Sequence, residues 1–156
     1  MAKENTCCFT GHRILGKDFH PDTLSRGIAY LIEKGVDTFI CGGALGFDTA
    51  CAKAVLSFKK EYAHIKLHIY APCCNQSDRW SIKDRLSYKK LLKKADYVDM
   101  PDESYYSGCM RVRNYKMVDE SAYCICYLNN QRSGTGQTYR YATKKGLTIF
   151  NIAGKT

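Results

Sequence analysis

Short β-rich runs alternate with helical patterns from one end of the 156-residue sequence to the other. In the helical segments, apolar residues recur at three- and four-residue spacing, as at Leu24, Ile28 and Leu31. The patterns predict six strands, at 6–10, 38–41, 66–71, 97–100, 123–128 and 147–152, and five helices, at 22–34, 49–62, 81–94, 109–120 and 138–145. This alternation predicts a Rossmann-like α/β fold, a mostly parallel sheet with helices on both faces.

The chain is expected to form a single domain over residues 1–156, because its length suits one core and no Pro-, Gly- or Ser-rich linker divides it. No stretch approaches the roughly 18 apolar residues of a membrane span, and no signal peptide is recognisable, so we expect a cytoplasmic protein without a membrane partner. The nine cysteines are odd in number and contain no C-x-x-C pair. This pattern favours reduced core thiols, and no metal site is predicted.

Positive charge is concentrated in one segment of a chain whose net charge is +9. Between Arg79 and Lys94 there are seven basic residues and one acid, Asp84. Such a run forms either the solvated face of a surface helix or a docking surface for a polyanion. Tyr105 and Tyr106, farther along the chain, are able to stack on bases, so single-stranded nucleic acid is a possible partner.

Three loops that follow predicted strands have the composition of ligand-binding loops. Glycine allows a backbone to approach a phosphate closely, and the start of a helix adds a favourable field. Because ligands of open parallel sheets bind beyond the carboxyl ends of the strands, the three loops are expected to lie near one another. Their candidate ligand-binding residues are Thr10, Gly11, His12 and Arg13 in the first loop, Gly42, Gly43, Ala44, Gly46 and Asp48 in the second, and Ser133, Gly134, Thr135, Gly136 and Thr138 in the third.

Other polar residues are candidates for contacts with the same ligand. Asp48 is either an acid favoured at a helix start or an acceptor for a ribose hydroxyl. Arg113, together with Arg111, is able to clamp a phosphate, and Asn114 either fixes the helix start or binds the ligand. Gln76 lies in a long loop that ends at Trp80, and long loops of compact domains are often functional.

The loops, taken in order, resemble a known family. The segments CFTGHR (8–13), GGALGFD (42–48), RNYKMVD (113–119) and SGT (133–135), with Gln76 and Trp80, resemble the YpsA/YoqJ-like family of the SLOG superfamily of Rossmann-like proteins. The second loop and the Arg-Asn pair are also similar to DprA/Smf proteins, which handle single-stranded DNA. The third loop is similar to that of Lonely-guy phosphoribohydrolases, although Gln137 and Thr138 stand where their carboxylates would be.

The resemblance implies three functional hypotheses. The first is a module that binds or senses a nucleotide or a nucleotide-derived ligand such as ADP-ribose, without a certain cofactor. The second is an enzyme that cleaves an N-glycosidic bond, in which Asp48 or Glu120 replaces the missing catalytic glutamate. The third is binding of single-stranded DNA as in DprA. Homo-oligomerisation remains open, because no heptad or apolar stripe indicates an interface.

Overall fold

A computed structural model describes the chain from Met1 to Thr156 and contains six strands and five α-helices. The strands are β1 (Thr6–Gly11), β2 (Thr38–Cys41), β3 (Lys66–Tyr70), β4 (Tyr97–Asp99), β5 (Tyr123–Tyr127) and β6 (Thr148–Asn151). The helices are α1 (Pro21–Glu33), α2 (Phe47–Glu61), α3 (Ile82–Lys94), α4 (Cys109–Asp119) and α5 (Gly134–Lys144). None of these helices combines the length and apolar character that crossing a membrane requires.

The strands form one sheet in the order β4-β3-β2-β1-β5-β6, and every neighbouring pair is parallel. The predicted Rossmann-like α/β fold is therefore confirmed. After β1 the chain adds β2, β3 and β4 on one side, then returns to place β5 on the other side of β1. The topological switch point is thus between β1 and β5, where a crevice for ligands is expected at the carboxyl ends of the strands.

Alternating strand residues supply two hydrophobic cores, one on each face of the sheet. On β1, Cys7 and Phe9 pack with residues of α1, α2 and α3 in a cluster of 19 buried residues. Cys8 packs on the opposite face with residues of α4 and α5 in a cluster of 10. Cover on both faces of the sheet explains why the central strands β1, β2 and β5 are buried almost throughout rather than at alternate residues.

The boundaries of two helices differ from the prediction at positions that matter for the site. The helix predicted from residue 138 begins at Gly134, because the Ser133 hydroxyl accepts a hydrogen bond from the Gly136 N–H and caps the first turn. The helix predicted from residue 49 begins at Phe47, directly after Gly46 in a left-handed conformation with φ +81°. Much of the third predicted loop is therefore the first turn of α5.

Most cysteine side chains are part of these cores. Eight of the nine are buried, and only Cys74 is exposed. Burial raises the pKa of the Cys41 thiol to about 12, so this thiol stays protonated near neutral pH. Thiols of this kind behave as small apolar groups.

Candidate functional site

A cleft of about 240 Å³ opens at the carboxyl ends of β1 and β5, at the topological switch point. We call it the strand-end cleft. Residues from all three predicted loops and from the first turns of α4 line it, namely Phe9, Thr10, Gly11, His12, Arg13, Ala44, Asp48, Met110, Arg113, Asn114, Ser133, Gly134 and Thr135. The fold thus brings together loops that are far apart in the sequence, as the carboxyl-end rule predicts.

Some predicted site residues lie outside this cleft, and two lining residues were not predicted. The predicted residues that do not line it are Gly42, Gly43, Gly46, Gln76, Gly136 and Thr138. Phe9 was missed because its apolar strand pattern indicates only a core position. Met110 was missed because a single methionine at a helix start carries no signal of its own.

The buried side chain of Arg113 ties α4 to the ends of two strands. One guanidinium nitrogen, Nη1, donates to the carbonyl oxygens of Gly42 (2.7 Å) and Tyr70 (3.1 Å), and Nε donates to Asn114 Oδ1 (2.7 Å). Gly42 must be glycine, because a Cβ there would lie 2.3 Å from Arg113 Nη1. Arg111 is exposed and does not line the cleft, so the two arginines do not form the phosphate clamp that the sequence suggested.

Asp48 takes a backbone donor that the sequence analysis assigned to a phosphate. Its Oδ2 accepts a hydrogen bond from the Ala44 N–H at 3.2 Å, inside the second loop. Burial raises the pKa of the Asp48 carboxyl, and the nearby Arg113 guanidinium offsets part of this rise. The Ala44 N–H of the second loop is therefore already bonded to Asp48, and this amide is not available to a ligand phosphate.

The glycines of the second loop serve close packing between segments of the protein. A Cβ at Gly46 would lie 2.0 Å from the carbonyl oxygen of Arg13, and one at Gly43 would contact Tyr88 and Ile69 at about 3 Å. Close contacts with other residues of the protein thus account for glycine at both positions. Their glycines therefore do not by themselves indicate a ligand.

The start of α5 offers unused donors to the strand-end cleft. The Ser133 hydroxyl donates to the Asn130 carbonyl (2.6 Å) while it accepts from Gly136, so its single proton is already used within the protein. The N–H groups of Gly134 and Thr135 have no acceptor within the protein, as is usual for the first turn of a helix. A Cβ added at Gly134 would meet nothing within 4 Å, so the protein leaves open space beside this residue.

His12 and Arg13, directly after β1, also line the strand-end cleft. His12 Nε2 accepts a hydrogen bond from the Asn129 N–H at 3.1 Å, which leaves the proton of the neutral ring on Nδ1. Burial lowers the pKa of His12, and the negative charge of Asp18 offsets part of that shift. His12 is thus neutral at pH 7, and the exposed Arg13 guanidinium, whose Nη2 lies 3.8 Å from Met110 Sδ, supplies the positive charge at the mouth.

A family model described as the YspA SLOG family matches residues 19–149. The chain belongs to this SLOG family. The YpsA-like resemblance of the loop motifs is therefore confirmed. The match begins after the first strand and includes the second loop, the Arg-Asn pair and the third loop.

Two relatives of this SLOG protein show the extent of the similarity. The UPF0398 protein BH1768 of Halalkalibacterium halodurans is 28% identical over 136 residues, which cover 86% of this chain and 72% of that protein. The uncharacterized SPbeta prophage-derived protein YoqJ of Bacillus subtilis is 32% identical over 121 residues, covering 70% of this chain and 71% of YoqJ.

The SLOG chain also shares its fold with DNA processing protein A from Helicobacter pylori, whose structure describes a single-stranded DNA binding mode. The two superpose with a TM-score of 0.69 at 20% sequence identity. The superposition covers 94% of this chain and 64% of that one. At this identity the likeness establishes a common fold.

The acids of this SLOG protein are not paired across the cleft. Asp48 is the one carboxylate that lines it. Glu120, the other acid proposed for catalysis, follows the far end of α4, where its Oε1 accepts a hydrogen bond from the Tyr70 hydroxyl at 2.6 Å. Glu120 lies seven positions after Arg113, about 10 Å farther along the helix axis, and does not line the cleft.

Proposed function

We propose that this SLOG protein binds a nucleotide or a nucleotide-derived molecule of the ADP-ribose class, and that its phosphate-bearing part occupies the strand-end cleft. The observation that supports this most directly is the pair of unpartnered N–H groups of Gly134 and Thr135 at the start of α5. Gly134 and Thr135 line the cleft at the topological switch point, and the cationic Arg13 lines it as well. Amides at a helix start beside a cation form a favourable anion site.

The size and charge of the strand-end cleft support a phosphate with its ribose as the bound part. Its volume of about 240 Å³ is below the roughly 300–1,000 Å³ of sites that enclose drug-sized ligands. The charged residues that line it are Arg13, Arg113 and Asp48, so positive charge is in excess. A complete nucleotide must therefore extend beyond this cleft.

The experiment is a thermal-shift titration with AMP, NAD and ADP-ribose. A ligand present at 100 times its dissociation constant stabilises the protein by about 2.7 kcal/mol. Gly134→Val fills the open position at the start of α5 and should abolish the shift. Thr143→Val, at the exposed far end of α5, is the matched control and should bind as the wild-type protein does. Wild-type binding by a folded Gly134→Val variant would refute the placement.

We propose nucleic acid as a second ligand class, because of a groove between α2 and α3. This lysine groove has a volume of about 530 Å³ and is lined by Lys53, Lys60, Lys83, Lys90 and Lys94. None of the five forms an ion pair, since the two salt bridges of the chain join Lys59 to Asp96 and Lys116 to Asp99. Tyr105 and Tyr106, which the sequence analysis combined with this basic helix, do not line the groove.

The second proposal is tested with a single-stranded oligonucleotide at increasing salt. Each phosphate neutralised contributes about −0.7 to the slope of log affinity against log salt concentration. Replacing Lys83, Lys90 and Lys94 together by glutamate should remove most of the binding. The same change in charge at exposed Lys3, Lys17 and Lys155 is the control and should leave most of it. Equal losses in both variants would show that only net charge matters and would exclude a groove-specific site.

A further inference from the structure

A second cleft adjoins the strand-end cleft and has a different chemical character. It has a volume of about 770 Å³ and is formed mainly by the loops that follow β3 and β4. We call it the loop cleft. It shares Arg13 and Met110 with the strand-end cleft, so a ligand of moderate length is able to extend from one into the other.

The walls of the loop cleft are held in place by hydrogen bonds between its two loops. The Tyr105 N–H donates to Asn75 Oδ1 at 2.8 Å, and the Cys74 N–H donates to the Glu103 carbonyl at 2.9 Å. These bonds fix the backbone on both sides of the cleft. A preformed wall binds with less loss of conformational entropy than a flexible one.

Two aromatic side chains face this cleft from different loops. Trp80 packs edge-to-face on Tyr88 with ring centroids 5.1 Å apart, and the Tyr88 hydroxyl is bonded to Gln76 Nε2 at 3.1 Å. Tyr105 is 64% exposed, although its backbone N–H is bonded to Asn75. An anchored indole and an exposed phenol on the same cleft offer apolar surfaces on which a flat ring can stack.

The loop cleft has the same charged lining as the strand-end cleft, two arginines and one aspartate, and differs from it in the side chains of Trp80 and Tyr105. Apart from the shared Arg13, its charged residues are Asp78 and Arg79, which are neighbours of opposite sign. The adjacent carboxylate weakens the attraction of Arg79 for a phosphate. Because Trp80 and Tyr105 line it, the loop cleft suits the flat, aromatic end of a ligand whose phosphate lies in the strand-end cleft.

We infer that the loop cleft is the base-binding part of the site, so that the ligand is a nucleoside 5′-phosphate or a molecule that contains one. The base stacks against Trp80 and Tyr105, and the ribose passes Arg13 and Met110. This inference rests on the proposed function, because it assumes that the phosphate binds at the start of α5. It adds that the loop after β3 determines recognition of the base.

The test compares ribose 5-phosphate with the four common nucleoside 5′-monophosphates by isothermal titration calorimetry. At least one monophosphate should bind about tenfold or more tightly than ribose 5-phosphate, as expected for stacking of one base. Tyr105→Ala and Trp80→Leu should each remove most of this difference and leave the affinity for ribose 5-phosphate unchanged. Tyr106→Ala is the matched control, because Tyr106 is an exposed neighbour outside the loop cleft.

The outcomes separate this inference from the function on which it rests. If ribose 5-phosphate and all four monophosphates bind equally well, the base site is refuted and the phosphate site stands. If a monophosphate binds more tightly but Tyr105→Ala and Trp80→Leu behave as Tyr106→Ala does, the base lies elsewhere. If neither ribose 5-phosphate nor any monophosphate binds, both the inference and the proposed function fail.

Discussion

Gly46 precedes α2 with a φ of +81°, and a Cβ there would lie 2.0 Å from the carbonyl oxygen of Arg13. Gly46→Ala should therefore lower the free energy of unfolding by about 2–4 kcal/mol, since backbone strain and a steric overlap add together. Gly134→Ala should change it by less than about 1 kcal/mol, because Gly134 has no positive φ and an open Cβ position. Urea unfolding measures both values. Equal losses would show that Gly134 is also packed against the protein.

His12 should titrate below the ordinary histidine range, because burial lowers its pKa. The carboxylate of Asp18 partly offsets that shift, so Asp18→Asn should lower the pKa of His12 further. The chemical shift of the His12 ring protons, followed by NMR against pH, measures both values. An upward or absent change in the Asp18→Asn variant would show that the two groups do not interact.

The same histidine makes stability depend on pH in a defined direction. Its folded-state pKa lies below the unfolded value of about 6.5, so the unfolded chain binds more protons between the two values. The contribution of His12 to stability is therefore complete above about pH 6.5 and is lost as the pH falls through the folded-state value. His12→Gln should flatten this part of the curve of unfolding free energy against pH, and an unchanged curve would assign the dependence to other groups.

Two helices of the fold, α3 and α5, begin with a serine that caps the first turn. Removal of each cap can therefore be compared for its effect on stability and on binding. Ser133 accepts from the Gly136 N–H at the start of α5, and Ser81 accepts from the Asp84 N–H at the start of α3. Each Ser→Ala variant should lose about 1 kcal/mol of unfolding free energy. Only Ser133→Ala should also weaken AMP binding, because α5 begins at the strand-end cleft and α3 does not. Loss of AMP binding in both variants would indicate that the lower stability of the whole fold, rather than the cap at the cleft, weakens binding.

The element boundaries show how far sequence reasoning reaches. The spacing of apolar residues is a local signal, and it predicts all six strands and all five α-helices of the fold. The start of α5 was missed because Gly134 and Gly136 are typical of loops, whereas the Ser133 cap holds them in a helical turn. The position of the strand-end cleft was predictable, because parallel strands bring their carboxyl ends to one edge of the sheet. The hydrogen bonds from Arg113 to Gly42 and Tyr70 could not be predicted, because those residues are distant from Arg113 in the sequence.

Arg113, on α4, contacts residues at the ends of β2 and β3 and lies near Asp48 on α2. It therefore contributes to the stability of the whole fold. Its guanidinium satisfies the carbonyl oxygens of Gly42 and Tyr70 and lies near the buried Asp48. Arg113→Met should lower the unfolding free energy by about 2–5 kcal/mol, because it removes a donor from two buried carbonyl oxygens and leaves the buried Asp48 without its neighbouring cation. Guanidinium unfolding measures the loss. A loss below about 1 kcal/mol would show that Arg113 is available for a ligand rather than committed to the fold.

The central claim is that a nucleotide phosphate binds at the start of α5, in the strand-end cleft. The most direct measurement is a ¹H–¹⁵N NMR titration of the wild-type protein and the Gly134→Val variant with AMP. The account predicts amide shifts in the wild-type protein at Gly134, Thr135 and residues 10–13, and no such shifts in the variant. Shifts confined to the lysine groove, or identical shifts in a folded Gly134→Val variant, would contradict it.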